Sequence, residues 1–411
     1  MEPLILARFI HFTATLTAGG TIWFALLVPR PIPAPLDRRL RLLALVALAL
    51  AVLSGLAWLA LVAADVLGIP LTEVTPGSAW PVITDIRFGQ VATVRLLLAL
   101  LLMLLALLMP WTRARPLQGV LALGFVALPA LTGHAGALPG PAGYLAMTAD
   151  ALHLLAAAAW LGGLPAFLLS LRKVPGDSQA DDRVVRTTRR FSQLAVLSVC
   201  TLLGSGIINS CYLLSGPGDL LYTEYGQRLA LKLVLFAAML TLAAVNRLRL
   251  TPALPSARAR TALGRNTLAE TGLGLAVLAL VAVIGTLPPG GHAHSTTSTI
   301  PEDATYVHIH TAAAMADVTI NPGRVGRVEI GTRLWSDDMS ELAARAVTVA
   351  LEPPNKNARS TIEHVAVRED DGTWRVSNVD CTQDGVWTVR LTITPREGSK
   401  IVLDAPIVIA R

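Results

Sequence analysis

The chain has 411 residues, of which 53% are hydrophobic and only 15% are charged, and its mean hydropathy is +0.57. This composition excludes an ordinary soluble globular protein and is typical of a membrane protein with several spans. The net charge of +6 does not indicate a nucleic-acid partner, because the basic residues lie mostly in short loops between apolar runs. The three cysteines form no CxxC motif and no disulfide framework.

Apolar runs predict eight transmembrane helices, most of them near the roughly 20 residues that a span requires. The first run is too long for the apolar region of a signal peptide and lacks a small-residue cleavage site, so we interpret it as a first span. The sequence therefore predicts an all-α polytopic membrane bundle within residues 1–289. Its eight helices are expected at residues 4–28, 42–67, 91–109, 117–132, 145–171, 191–214, 229–248 and 267–287.

Charge in the connecting loops predicts the orientation of the bundle. The loops after spans one, three, five and seven carry most of the arginines, whereas the opposite loops carry Glu73, Asp85, Asp219 and Glu224. Basic loops face the cytoplasm, so both termini of this multi-pass protein are expected outside the cytoplasm.

The pattern changes at residue 305, where apolar and polar residues begin to alternate. Segments such as Thr373-Trp-Arg-Val and Val386-Trp-Thr-Val-Arg-Leu are separated by turn sequences rich in Asp, Asn, Pro and Gly. Several short strands at this spacing predict an all-β immunoglobulin-like sandwich over residues 305–411. Residues 290–304 are interpreted as a linker, and the predicted orientation places the sandwich outside the cytoplasm.

Span five carries the most informative polar residues of the bundle. His153 lies inside its apolar run, with Asp150 one turn earlier and Trp160 about two turns later on roughly the same face. Ionisable residues within a span are costly, so they usually face the protein interior and have a function. The following Gly162-Gly163 pair would allow another helix backbone to approach closely.

Two further histidines are expected near His153. His11 in span one lies roughly 10 Å below the outer end of its helix at 1.5 Å per residue, and His153 lies at a similar depth. His134 falls where span four reaches the outer surface. A copper or zinc site is one interpretation, and histidines that merely hydrogen-bond neighbouring helices are another. Bis-histidine haem is a third.

Other potential metal ligands lie in span five and beyond the bundle. Met147 could add a thioether near His153, although it could equally be apolar filling. His292 and His294 lie in the linker, and His308 and His310 occupy alternate positions of a predicted strand, which places both on one face. These last two either chelate a metal or face solvent. No nucleotide-binding loop, catalytic triad or HExxH motif is present, so we do not expect an enzyme.

Several separate motifs resemble the copper resistance protein D (CopD) family across roughly residues 1–290. They include the His153-to-Leu164 segment with its Trp-Leu-Gly-Gly, Asp85-Ile-Arg-Phe-Gly89 leading to Arg95, Gly133-His-Ala135, Thr223-Glu-Tyr-Gly226 leading to Lys232, Asn246-Arg, and Glu270 followed by Pro288-Pro289. The tail, from Val307-His-Ile-His310 to Gly385-Val-Trp387, is similar to the small YtkA-like sandwich domain sometimes fused to such proteins.

The resemblance implies copper transport or copper homeostasis at the bacterial inner membrane, with the histidines as copper ligands. The chain begins directly at span one and not with a periplasmic copper-binding domain, so its copper source is open and a separate periplasmic copper carrier is one candidate partner. The alternative functions are a haem-binding membrane electron-transfer protein and a membrane-anchored binding module whose sandwich does the work.

Overall fold

The computed structural model describes most of the chain. The described residues are 2–67, 69–109, 111–132, 140–172, 180–214, 216, 218–254, 256–287, 301, 303–310, 314–336, 341–354, 362–396 and 399–410. Within these ranges only the backbone is described for residues 85, 111, 112, 140–142, 180, 308, 310 and 362. The chain forms two compact units, one of residues 1–136 with 143–294 and one of residues 137–142 with 295–411.

The first unit is helical, and eight of its described helices are long and apolar enough to cross a membrane. In chain order the helices are α1 (Glu2–Leu27), α2 (Ala34–Leu67), α3 (Pro76–Asp85), α4 (Arg87–Leu108), α5 (Trp111–Ala127), α6 (Gly140–Trp160), α7 (Leu164–Ser170), α8 (Ala180–Leu213), α9 (Asp219–Tyr222), α10 (Glu224–Val245) and α11 (Ala257–Ile284). Spans one to three are α1, α2 and α4, span four is α5 with a 3₁₀ turn, span five is α6 with α7, and spans six to eight are α8, α10 and α11. The eight predicted spans are confirmed.

Several helices are longer than predicted, because basic segments interpreted as loops are helical. Their arginines donate hydrogen bonds to carbonyl oxygens at the ends of neighbouring helices. Arg41 reaches the oxygen of Leu107 at 2.9 Å, and Arg190 reaches that of Leu27 at 2.9 Å. Carbonyls at a helix C-terminus have no intrahelical partner and carry partial negative charge, so these contacts satisfy both groups.

Span five is interrupted at Gly162-Gly163, the pair that the sequence predicted to allow close helix packing. Helix α6 ends at Trp160 and α7 begins at Leu164, and the backbone of α1 passes directly against the break. A Cβ atom on Gly162 would lie 1.9 Å from the carbonyl oxygen of Leu16, and one on Gly20 would lie 2.2 Å from the carbonyl carbon of Gly162. Only glycine allows this approach, so the predicted close packing is confirmed and its partner is α1.

Two short helices were not predicted. Helix α3 precedes span three and begins with a capping box, in which Thr75 and Ser78 exchange side-chain and backbone hydrogen bonds. Helix α9 occupies the corresponding place before span seven. Neither segment is long or periodic enough to separate from a loop by sequence alone. Span seven ends in a five-residue π-helical turn, Asn246–Leu250.

The second unit contains eight antiparallel strands in the spatial order β1-β2-β3-β6-β5-β4-β7-β8. They are β1 (Thr305–His310), β2 (Met315–Asn321), β3 (Gly326–Trp335), β4 (Ala344–Glu352), β5 (Ile362–Arg368), β6 (Trp374–Cys381), β7 (Gly385–Pro395) and β8 (Ile401–Ile409). Strands β5 and β6 pair at only two positions, Val367 with Arg375 and Arg368 with Trp374. The sheet therefore divides there into two layers.

A single apolar core joins the two layers and confirms the predicted β-sandwich. It contains Val318 and Ile330 from one layer and Val349 and Leu391 from the other, all at most 1% exposed. Strands β5 and β8 were missed in the sequence. Strand β8 contains Pro406, which normally argues against a strand, but β8 lies at the edge of the sheet, where proline is tolerated.

Candidate metal centre

His11 is buried in span one and its ring orientation is fixed by span two. Its Nδ1 atom lies 3.0 Å from the carbonyl oxygen of Ala51 and 3.2 Å from the hydroxyl oxygen of Ser54. The Ser54 hydroxyl donates its own hydrogen to Leu50 at 2.6 Å, so both neighbours can only accept from the ring. Nδ1 therefore carries the proton, and Nε2 of the neutral ring presents a lone pair.

The Nε2 atom of His11 is buried and has no hydrogen-bond partner among the described residues. His11 lines a cavity of ≈ 20 Å³, enough for about one water-sized occupant. Spans one to four all contribute to its wall, which includes Gly55, Trp58, Phe88, Arg95, Phe125 and Thr132. A histidine whose Nδ1–H is tied to a carbonyl while Nε2 is free has the usual arrangement of a metal ligand.

Arg95 shares this cavity and is only 5% exposed. It donates hydrogen bonds to the carbonyl oxygen of Phe125 and the hydroxyl of Thr15, both at 3.2 Å, and its guanidinium lies 5.6 Å from the centre of the Phe125 ring. It forms no ion pair with the side chains that the structure describes. The cavity therefore combines one lone-pair donor with one fixed positive charge.

A second cationic group lies close to His11. The guanidinium of Arg8 lies 5.5 Å from the ring centre of Trp58, and the Trp58 ring in turn packs edge-on against His11 at 5.5 Å. Arg8 also donates a 2.7 Å hydrogen bond to the carbonyl oxygen of Gly285 at the end of span eight. The surroundings of His11 are thus aromatic and basic.

His153 is held in the same way as His11. Its Nδ1 atom lies 3.0 Å from the hydroxyl oxygen of Ser205 on span six. That hydroxyl donates to the carbonyl oxygen of Thr201 at 2.6 Å, so it accepts from the ring. Nδ1 of His153 is again the protonated nitrogen, and Nε2 is available as a ligand.

The surroundings of His153 contain charges of both signs. Asp150 accepts a 3.3 Å hydrogen bond from Asn209 of span six, and Lys232 of span seven lies close enough to interact electrostatically with both Asp150 and His153. Tyr225 is buried and also interacts electrostatically with Asp150. Three spans therefore meet at this polar cluster.

The hydrogen bonds and electrostatic contacts of the two histidines involve different spans. The contacts of His11 come from spans two, three and four, whereas those of His153 come from spans six and seven. No group of three or more described His, Cys, Asp or Glu side chains is arranged to hold a metal ion. Met147 is half-buried and its sulfur lies 4.0 Å from a guanidinium nitrogen of Arg87.

The side chains of the remaining predicted ligands lie outside the part of the chain that the structure describes. His134, His292 and His294 lie outside the described residues. His308 and His310 lie in strand β1, paired with Asp317 and Met315, but only their backbone is described. Their position in a strand agrees with the sequence, and their role as ligands stays a prediction.

Glu270 of span eight is part of a buried polar network with span seven. It is only 3% exposed and accepts a 2.5 Å hydrogen bond from Asn246, the first residue of the π-helical turn. Asn266 donates a further 2.9 Å hydrogen bond to the Asn246 side chain. Sequence position alone missed this network because the partners depend on how spans seven and eight pack.

Two family models match the chain, and both describe copper resistance proteins. The model for the "Copper resistance protein D-like, N-terminal domain" matches residues 1–144, and that for "Copper resistance protein D" matches residues 185–284. No solved structure shows significant similarity to this chain.

Curated relatives agree with these models. The chain is 31% identical over 288 residues to "Inner membrane protein YebZ" of Escherichia coli K12, an alignment that covers 69% of this chain and 98% of that protein. It is 35% identical over 167 residues to "Copper transport protein CutJ" of Bacillus subtilis, which covers 40% of this chain and 29% of the relative. It is 34% identical over 179 residues to "Copper resistance protein D" of Pseudomonas syringae pv. tomato, and this alignment covers 41% of this chain and 57% of the relative. The chain therefore belongs to the copper resistance protein D family.

Proposed function

We propose that this protein transports copper across the bacterial inner membrane through intramembrane histidines that are reached from the periplasm. The family and the relatives named for copper transport and copper resistance support a copper-related function in a membrane protein. None of these relatives is named as an enzyme, and we propose that this chain catalyses no reaction. The histidine route is the part that requires a test.

The single observation that carries the route is the tautomer of the two histidines. His11 and His153 each donate Nδ1–H to an acceptor on the next span, which leaves Nε2 as a lone-pair donor inside the bundle. Imidazole nitrogen is a good ligand for copper, and a neutral ring can bind the ion without adding a buried charge. Both rings are therefore prepared to receive a metal ion.

The other sequence-predicted residues complete the proposed route. His134 would lie at its periplasmic mouth, and Met147 would add a soft sulfur ligand near His153. His292 and His294 of the linker and His308 and His310 of the sandwich would bind copper weakly before it enters. A separate periplasmic carrier would supply the ion.

The arrangement of the whole chain follows the same proposal. We propose an eight-span CopD domain over residues 1–289, a linker over residues 290–304, and a YtkA-like sandwich over residues 305–411 on the periplasmic side. The E. coli relative named as an inner membrane protein supports this location, and the basic loops support periplasmic termini.

The direct test is uptake of radioactive copper into vesicles of defined sidedness that contain the purified chain. Copper should accumulate with the unmodified protein, and each of His11→Ala and His153→Ala should reduce the rate to that of empty vesicles. Gly204→Ala is a matched control, because a Cβ atom there meets no other atom within 4 Å. Transport that survives the double histidine substitution would exclude this route.

The haem alternative has a different signature. A bis-histidine haem gives intense, sharp bands in a reduced-minus-oxidised visible difference spectrum, whereas copper bound by histidines absorbs only weakly in the visible range. Purified protein with a haem spectrum that disappears in His11→Ala and His153→Ala would replace copper transport by electron transfer as the proposed function.

A further inference from the structure

The two histidine clusters match each other residue by residue. In each, a histidine of one span donates Nδ1–H to a serine of the next span, and that serine is followed by glycine. The pairs are His11 with Ser54 and His153 with Ser205, and the contact distances are 3.2 and 3.0 Å. Both serines also donate to the carbonyl four residues earlier at 2.6 Å.

A second contact repeats at the same offsets. The residue three positions before each histidine meets the residue four positions after each serine. In the first cluster these are Arg8 and Trp58, 5.5 Å apart from guanidinium to ring centre. In the second they are Asp150 and Asn209, joined by a 3.3 Å hydrogen bond. The geometry is shared although the residue types differ.

The entrances to spans three and seven repeat as well. Each follows a short helix, and each contains a glycine packed against the carbonyl oxygen seven residues earlier. A Cβ atom on Gly89 would lie 2.1 Å from the oxygen of Val82, and one on Gly226 would lie 1.9 Å from that of Asp219. Larger residues are excluded at both corners for the same reason.

The glutamine after each of these glycines also has an equivalent contact. Gln90 donates to the carbonyl oxygen of Thr84 at 2.6 Å, and Gln227 donates to that of Leu221 at 3.0 Å, six residues earlier in both cases. Six residues after each glycine stands a basic residue, Arg95 or Lys232, and it interacts electrostatically with the histidine of its own cluster.

Ion pairs at the other end of the bundle follow the same scheme. Asp37 at the start of span two pairs with Arg115 at the start of span four, and Asp181 at the start of span six pairs with Arg260 at the start of span eight. In the sequence, spans four and eight are both followed by Gly-His-Ala, at residues 133–135 and 291–293. Spans one to four therefore correspond to spans five to eight.

We infer that the membrane-spanning part is a duplicated four-span unit, that each copy carries its own histidine site for copper, and that the second site binds the ion more tightly. The identity of the ion rests on the proposed function. The duplication itself rests on the repeated contacts. An even number of spans per copy gives both copies the same direction through the membrane, as in transporters built from parallel repeats.

The difference in affinity follows from the charges at equivalent positions. Near His11 stand Arg8 and Arg95, and no described carboxylate forms an ion pair with either. Near His153, Asp150 offsets the charge of Lys232. The first site therefore has basic side chains without a described carboxylate partner, whereas the second has a basic side chain that interacts with a carboxylate. A bound cation is repelled more strongly in the first site, and charge interactions are strong away from water. The first site is therefore the weaker one.

Cu(I) titration of the purified full-length chain in detergent, without oxygen and against a chromophoric Cu(I) chelator, tests the two-site arrangement. We expect His11→Ala and His153→Ala to remove one copper equivalent each, and the double variant to remove two. The tighter equivalent should be lost with His153. Helix content and thermal unfolding confirm that each variant is folded.

Charge-changing variants test the order of affinity in the same assay. Asp150→Asn in a His11→Ala background should lower the affinity of the remaining site at least tenfold. Arg95→Gln in a His153→Ala background should raise the copper affinity of the remaining site, at His11, by a similar factor. No change in either variant, or a tighter site at His11, would overturn the charge assignment.

The outcomes separate this inference from the proposed function. If each single substitution and the double substitution all remove the same single equivalent, the two histidines share one site, and only the duplication of sites fails. If the double substitution removes no copper, the intramembrane copper route fails as well.

Discussion

The Nδ1 atom of His11 lies 3.0 Å from the carbonyl oxygen of Ala51 on the neighbouring span. Because a carbonyl only accepts, the contact determines which ring nitrogen faces the cavity. The same logic applies to His153 through Ser205. Two rings with a defined tautomer, in helices otherwise rich in alanine and leucine, indicate a function that depends on Nε2.

We predict that His11→Ala and His153→Ala each abolish the copper-dependent phenotype of cells, whereas His134→Ala only weakens it. The intramembrane rings are proposed as the ligands of the buried route, and His134 is expected at its mouth. Growth at limiting and at toxic copper, with membrane levels measured by immunoblot, checks the prediction. If the immunoblot shows that a variant is absent from the membrane, the loss of phenotype would reflect a structural role of that histidine and not copper binding.

The orientation predicts where a reporter is active. An enzyme fused after Arg411 that works only outside the cytoplasm should be active, and one that works only inside should be silent, because loops rich in basic residues are generally retained in the cytoplasm. Fusions after residue 172, in a basic loop, should give the opposite pattern. A cytoplasmic signal at the C-terminus would refute the periplasmic entry of copper.

The sandwich histidines are predicted to bind copper weakly. In a chain that already carries His11→Ala and His153→Ala, the further change of His308 and His310 to alanine should lower the residual copper binding. Equilibrium dialysis measures the difference, and His364→Ala on strand β5 of the sandwich is the matched control. Equal binding with and without His308 and His310 would show that they merely face solvent.

Packing at the helix break predicts a large effect of a small substitution. Gly162→Ala places a methyl group 1.9 Å from the oxygen of Leu16, so the helices must separate and stability should fall by roughly 1–3 kcal/mol or more. Gly204→Ala meets no atom within 4 Å and lies inside a helix, where alanine is favoured over glycine, so it should not lower stability. Thermal unfolding in detergent compares the two, and similar melting temperatures would contradict the packing described.

Burial predicts the reactivity of Cys381. It is 1% exposed, and burial, together with the charge of Asp380, raises the pKa of its thiol to about 11. At pH 8, three units below that value, only about one thiol in a thousand is ionised. In a Cys200→Ser/Cys211→Ser variant, maleimide labelling should therefore be at least tenfold slower for native than for denatured protein. Rapid native labelling at pH 8 would mean that the sandwich core is open.

Much of the architecture could be predicted because it depends on local pattern. Runs of apolar residues identified the eight spans, and alternation identified most strands of the sandwich. Strand β5 escaped because its Val365 and Val367 are on the exposed face, 71% and 65% accessible, which reverses the usual pattern. Helices α3 and α9 escaped because they are short.

The candidate site was predicted less completely. The sequence singled out His11 and His153, since histidines in apolar runs are rare, but not the serines that fix their rings. Ser54 and Ser205 are ordinary polar residues in a helix, and their role depends on contacts between spans. The contacts of Arg95 with the carbonyl oxygen and ring of Phe125 could not be predicted for the same reason, because they join different spans.

The contact between α1 and the break in span five also has a consequence for biosynthesis. Helix α1 leaves the ribosome well before the glycines of its partner, Gly162 and Gly163, because spans two to four are synthesised between them. Until then, the small-residue face of α1 around Gly20 has no protein surface to pack against. Insertion of α1 and its final packing are therefore separate events, and chains truncated before residue 164 should leave that face open to lipid.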